Sequence, residues 1–180
     1  EYIWKLMINY NFLDRALHHL ILSTKFAKKS LYEIEKILFL KKQNIKNNKH
    51  IFITGLPRSG STALLNFFNN NNELCSLKYK DMPFIMAPNI AKFFKKKRIV
   101  KSQRFHNDNI FFDLDSPESF DEAFFSAFNE KDINEELITY VSLILSSYNK
   151  NRYLSKNNNN YKRINLIKNI FPDSIFLLPV

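Results

Sequence analysis

Within IFITGLPRSGSTALLN, residues 51–66, an apolar run, a glycine turn and a helix start follow one another. The short β-branched run at 51–54 is the pattern of a strand buried on both faces of a parallel sheet. A strand that feeds a glycine turn and then a helix gathers backbone N–H groups and the positive end of a helix dipole around one point. That point binds anions. Gly55 and Gly60 permit the turn, and the Ser59, Ser61 and Thr62 hydroxyls add donors. The spacing approaches the nucleotide-binding pattern G-x-x-x-x-G-K-[ST], but Ser61 stands where a lysine would grip the β- and γ-phosphates. The cation is Arg58, inside the loop, which suits a compact terminal anion better than a metal-bound triphosphate.

The rest of the chain supplies a matching scaffold. Apolar spacing predicts helices over 2–23 and 31–40, followed by an Asn/Lys linker over 41–49. After the loop a helix over 61–68 ends in the Asn run 69–72, because Asn favours caps and turns. Asp115-Ser116-Pro117-Glu118 has the chemistry of a helix start, predicting a helix to about 128, with another over 133–148. Strands are predicted at 153–156 and 175–178, with a loop at 157–160, a helix over 161–171 and a turn at Pro172-Asp173 between them. Strands alternating with helices define an α/β fold with a parallel sheet. In such a sheet the strand ends converge, so Thr54–Gly55 and Lys156–Asn157 are expected side by side at a ligand crevice. The region 78–109 gives no clear pattern, and its basic residues from Lys92 to Arg104 are the mark of a solvated helix face.

With 27 basic and 17 acidic residues the net charge is +10, which fits an anionic partner. A composition crowded with Asn, Lys, Ile and Phe explains the same charge without one, so no specific nucleic-acid partner is inferred. The single Cys75 excludes an internal disulfide and fits a reducing, cytoplasmic setting. The apolar segment at 2–22 is broken by Lys5, Asp14, Arg15, His18 and His19, short of the ~20 clean residues of a transmembrane span. The two histidines have no Cys or carboxylate pattern beside them, and no metal site is expected. The absence of an initiator Met and the terminal apolar run SIFLLPV predict a piece of a longer protein. A helical segment at 1–45 and the first part of one domain at 46–180 are the expected divisions.

ITGLPRSGSTALL at 53–65 resembles the 5′-phosphosulfate loop of sulfotransferases that use 3′-phosphoadenosine 5′-phosphosulfate (PAPS). DMPFIMAPN at 81–89, DLDSPESFDEAFF at 113–125, RYLSKNNNN at 152–160 and FPDSIFLLPV at 171–180 are similar, in the same order, to bacterial members with unassigned acceptors. The resemblance implies a P-loop-like parallel sheet flanked by helices, with the C-terminal part lying beyond this chain. It implies PAPS as co-substrate without a metal, and transfer of a sulfuryl group to a hydroxyl acceptor such as a carbohydrate, glycan or lipid. Pro57, Arg58, Ser59, Gly60, Ser61 and Thr62 fall on the family's phosphosulfate site, with Arg58 at the bridging oxygen. Lys156 matches the lysine that relatives place against the sulfuryl group.

A hydroxyl acceptor needs a general base. Asp81 is the first candidate by the family pattern, then His106 and Asp108. Asp113, Asp115, Glu118 and Glu122 are taken mainly as caps and first-turn charges, with contact of one of them to the acceptor left open. The family's arginine and serine for the 3′-phosphate would follow Val180, so half of the donor site is expected outside this chain and the piece alone is expected to be inactive. Two other classes compete: a P-loop kinase or NTPase, and a non-catalytic binder of anionic polymers through 92–104. The oligomeric state is left open.

Overall fold

The computed structural model describes residues 12–41, 43–94, 102–103 and 111–179. Two helices come first, α1 (Phe12–Leu22) and α2 (Lys25–Phe39). Residues 2–11 of the first predicted helix lie outside the described residues. The second helix starts earlier than its apolar spacing indicates, because Thr24 caps it by accepting from the Ala27 N–H at 3.1 Å. β1 (Ile51–Ile53) leads through the loop into α3 (Ser61–Asn69). There follow β2 (Leu74–Cys75), a 3-10 turn at Tyr79–Asp81, α4 (Pro88–Ala91), and the short strands β3 (Ser102–Gln103) and β4 (Phe111–Phe112). The second half contains α5 (Glu122–Ala127), α6 (Glu130–Tyr148), β5 (Arg152–Lys156), a 3-10 segment at Asn158–Arg163, α7 (Ile164–Ile170) and β6 (Ile175–Leu177).

The main sheet has the order β2-β5-β1-β6 with every pairing parallel. The edge strand β2 escapes sequence reading because two residues carry no periodicity. Side chains alternate between the two faces. Ile51, Ile53 and Leu154 pack with Leu74 and with Leu65 of α3. Phe52 and Tyr153 face the larger core, where Phe52 stacks on Phe176 at 5.5 Å and Phe124 stacks on Tyr140 at 4.5 Å. Tyr32 of α2 sits in the same core, edge-on to Phe128 at 5.2 Å. Aromatic packing thereby ties α2 to the core that also covers one face of the sheet.

The helix expected from 115 begins only at Glu122. Pro117 instead forms an antiparallel bridge with Lys78. Asp113 and Ser116 close a turn before it, with Ser116 Oγ donating to Asp113 Oδ1 and accepting from the Asp113 N–H, each at 2.9 Å. Asp, Ser and Pro serve turns as readily as helix starts, and the tertiary bridge decides between them. A second cross-link joins α2 to α4. Glu35 Oε1 accepts from the Asn89 backbone N–H and Nδ2 at 2.7 Å each, and Oε2 from the Ile90 N–H at 3.0 Å. Burial pushes this carboxyl up, and the Asn89 donors oppose the rise.

His50, at the entry to β1, is fully buried. Its Nδ1 accepts from the Tyr153 N–H at 2.9 Å, so the proton sits on Nε2, which donates to Ile45 O at 2.9 Å. Burial lowers its pKa to about 4. Below about pH 6.5 the unfolded chain binds a proton that the native site refuses until about pH 4, so stability falls as pH drops through that window. Denaturant titration from about pH 7 to about pH 5 is expected to show about 2 kcal/mol of this loss in the wild type. His50→Gln removes that component, and identical pH slopes in the two proteins would refute the assignment.

Candidate functional site

Three hydrogen bonds of Thr54, one from its backbone and two at its hydroxyl, anchor the loop leaving β1. The Thr54 N–H donates to Leu177 O at 3.0 Å, the Thr54 hydroxyl donates to Asn158 O at 3.1 Å, and the same hydroxyl accepts from the Tyr161 N–H at 3.0 Å. Residues 54–60 therefore leave a junction shared by β1, β6 and the segment after β5. At Gly55 a Cβ would stand 3.0 Å from Ser59 Oγ and 3.4 Å from Pro179, so the tight return of the loop leaves little room for a side chain. Arg58 has φ 68°, in the left-handed region, which costs an arginine about 1–3 kcal/mol. Gly60, at φ 80°, is the N-cap of α3 and offers no side-chain cap to the first-turn amides. Ser59 Oγ is buried here with no hydrogen-bond partner among the described residues, while the Arg58 side chain is exposed. A helix start without a side-chain cap, a hydroxyl without a partner among the described residues and a cation meet here, an arrangement that can hold an anion.

The register of the sheet brings the second cation to the same place. Ile53 pairs with Lys156, and the Asn157 N–H donates to Ile53 O at 3.0 Å. The expected juxtaposition of Thr54–Gly55 with Lys156–Asn157 is thus realised. Lys156 Nζ lies 3.6 Å from Glu118 Oε1, and the two side chains are only 13% and 18% exposed. Glu118 follows the Lys78–Pro117 bridge, and its N–H donates to Leu77 O at 3.3 Å. Its Oε1 also accepts from the Ser119 N–H at 3.1 Å.

Behind Lys156 runs a buried polar network. Asp121 Oδ2 accepts from Ser155 Oγ at 2.5 Å, and Oδ1 from Asn157 Nδ2 at 3.2 Å. Asn157 Nδ2 also donates to Glu122 Oε2 at 2.6 Å, and Arg163 holds Glu122 with two bonds of 2.9 and 2.8 Å. The guanidinium lies 3.9 Å over the Phe125 ring. Burial raises the Asp121 carboxyl, opposed by its bonds from Ser155 and Asn157; Arg163 holds Glu122 low. No local pattern announces this arrangement, since Asp121 and Ser155 are 34 residues apart and meet only through the topology.

Asp81 is buried, and its Oδ2 accepts from the Lys78 N–H at 2.7 Å and from the Tyr148 hydroxyl at 2.5 Å. These bonds fix the 3-10 turn that precedes Met82. His106 and Asp108 lie outside the described residues, as do the basic residues from Lys95 to Arg104. Lys92, Phe93 and Phe94 are exposed. Among the described residues, no group of three His, Cys, Asp or Glu is placed to hold a metal ion, and no helix is long and apolar enough to cross a membrane.

The sulfotransferase family model matches residues 50–179, from the entry of β1 to the end of the described chain. The chain belongs to the sulfotransferase family. Among solved structures it is similar to sulfotransferase STF1 from Mycobacterium tuberculosis H37Rv, with a TM-score of 0.56 and 12% identity over 98% of this chain and 57% of that one. It is also similar to sulfotransferase STF9 from Mycobacterium avium, with a TM-score of 0.49 and 13% identity over 94% of this chain and 52% of that one. At these identities the first likeness concerns the fold. The chain spans a little over half the length of these two proteins. None of the curated proteins matches it by sequence.

The fully buried Thr54 hydroxyl is the stitch between loop and strand. Thr54→Val leaves the Tyr161 N–H and the Asn158 carbonyl without their partner, and is expected to cost about 1–3 kcal/mol. Thr54→Ser keeps both bonds and is expected to lose less. Urea denaturation of the two variants checks the order, with faster amide exchange at Tyr161 marking the opened junction.

Proposed function

We propose that the complete protein transfers a sulfuryl group from PAPS to a hydroxyl acceptor, carbohydrate, glycan or lipid. The observation that carries this reading is the loop itself, in which an orphaned Ser59 hydroxyl and Arg58 meet the start of α3 while Lys156 stands one strand away. Family membership supports it independently. The fit is with a terminal phosphosulfate: amides and hydroxyls of 59–62 receive the oxygens, Pro57 and the left-handed Arg58 set the turn, and both cations approach the bond that breaks.

Sulfuryl transfer, like phosphoryl transfer, is an in-line displacement with a loose transition state, dominated by positioning and by charge on the leaving oxygen. In our reading Arg58 meets the bridging oxygen and Lys156 the sulfuryl oxygens and the same leaving group. Each such donor is worth about 3 kcal/mol by analogy with oxyanion-hole donors. The Asp121 network holds the residues on either side of Lys156, so its ammonium enters the crevice from a fixed backbone. The excess of positive charge over the chain favours approach of an anionic donor. The remaining adenosine contacts, including those to the 3′-phosphate, are assigned to the rest of the protein.

Against a kinase or NTPase stands Ser61 at the lysine position. With the full-length protein, labelled PAPS and a panel of glycans and lipids, Arg58→Ala and Lys156→Ala are each expected to slow transfer about 100- to 1000-fold. Neutralising Lys92 is expected to leave the rate within about twofold, which separates this enzyme from a binder of anionic polymers. Tighter binding of Mg²⁺-ATP than of adenosine 3′,5′-bisphosphate, measured calorimetrically, would overturn the reading.

A further inference from the structure

We infer that Glu118 is the proton acceptor for the attacking hydroxyl, an assignment that rests on the sulfuryl-transfer reading. The geometry is the 3.6 Å pair between Glu118 Oε1 and Lys156 Nζ at the mouth of the crevice. A carboxylate beside an anionic donor opposes its binding unless a cation lies between them. Lys156 is that cation. With its ammonium on the sulfuryl oxygens, the lysine offsets the charge of the carboxylate 3.6 Å away. In this proposal Glu118 flanks the ammonium on the side from which the acceptor enters, and the acceptor oxygen, in line with the breaking bond and about 3–3.5 Å from sulfur, stands between sulfur and the carboxylate.

The other carboxylates near this end of the sheet have different engagements. Asp121 is buried behind β5 against Ser155 and Asn157, and Glu122 is held bidentately by Arg163. Asp115 pairs with Lys80 at 2.8 Å, and Asp113 closes the turn with Ser116. Asp81 accepts from Tyr148 and from the Lys78 amide. Glu118 forms its ion pair with the lysine assigned to the sulfuryl group. Its backbone is fixed on both sides, by the Leu77 carbonyl and by its own carbonyl, which accepts from the Phe120 N–H at 2.9 Å. A pre-set carboxylate of this kind loses little freedom when an acceptor arrives.

The step balances as follows. The acceptor O–H gives its proton to the Glu118 carboxylate as the new O–S bond forms. The bond from sulfur to the bridging oxygen breaks, and its electron pair leaves on the 5′-phosphate of adenosine 3′,5′-bisphosphate. The carboxyl then returns the proton to solvent. No oxidant, reductant or metal enters the balance.

The test uses full-length protein, labelled PAPS and simple phenols of graded acidity as acceptors, beside the best hydroxyl acceptor from the glycan and lipid panel. Glu118→Gln is expected to lower kcat about 100-fold for a weakly acidic hydroxyl and progressively less as the phenol becomes more acidic. Its affinity for adenosine 3′,5′-bisphosphate stays within about threefold of wild type. Glu118→Ala, folded by circular dichroism, is expected to regain part of its rate with added formate. Equal loss across all acceptors, or a loss confined to bisphosphate affinity, makes Glu118 a structural residue and overturns the inference. So does a Glu118→Gln rate within threefold of wild type. If the wild-type protein transfers label to no acceptor, the sulfuryl-transfer reading fails and takes the inference with it.

Discussion

Parallel pairing of β1 with β5 sets Ile53 against Lys156, and both halves of the crevice depend on that register. The loop can be shaped by its own glycines, but a loop alone presents one cation. The second arrives because β5 runs beside β1 and ends level with it. A slip of one residue would turn Lys156 to the opposite face and bring Ser155 in its place. The register is protected by what the two faces bury: Ile51, Ile53 and Leu154 against α3, Phe52 and Tyr153 against the aromatic core. Chemistry at the strand ends is thus specified by apolar packing in the strand bodies.

Polar groups complete what the packing begins. Thr54 joins the start of the loop to the segment after β5, and Asp121 joins that strand to α5. Neither side chain faces solvent. Buried groups of this kind are costly when a partner is lost and exacting about geometry when every partner is present. The crevice is therefore lined by backbone that has few alternatives, which suits the proposed transfer, a reaction governed mainly by positioning.

The loop, the adjoining strand and the sheet type were legible because glycine spacing and β-branched runs report local backbone directly. Lys156 was legible for a related reason, since parallel strand ends meet on one side of a sheet. The start of α5 was misread: Asp115, Ser116 and Pro117 carry cap chemistry, and only the distant Lys78 turns them into a bridge. β2 was missed because two residues carry no period, and α2 was shortened because Thr24 marks its start where the apolar pattern does not. Glu118 looked like a first-turn charge, since nothing in its neighbourhood announces a lysine from another strand. Interactions between residues far apart in sequence leave no periodic trace, and the candidate site is built largely of them.

Ser61 supplies a last consequence. In the chain's spelling it occupies the place of a nucleotide-gripping lysine, which makes the two loop types look one substitution apart. In three dimensions the residue is 6% exposed at the first position of α3. A lysine there would need a path for a long stem and a charged head out of a site now filled by a small hydroxyl. Interconversion of the two loops is therefore a question of volume before it is one of charge, and neighbours of α3 would have to change together with residue 61.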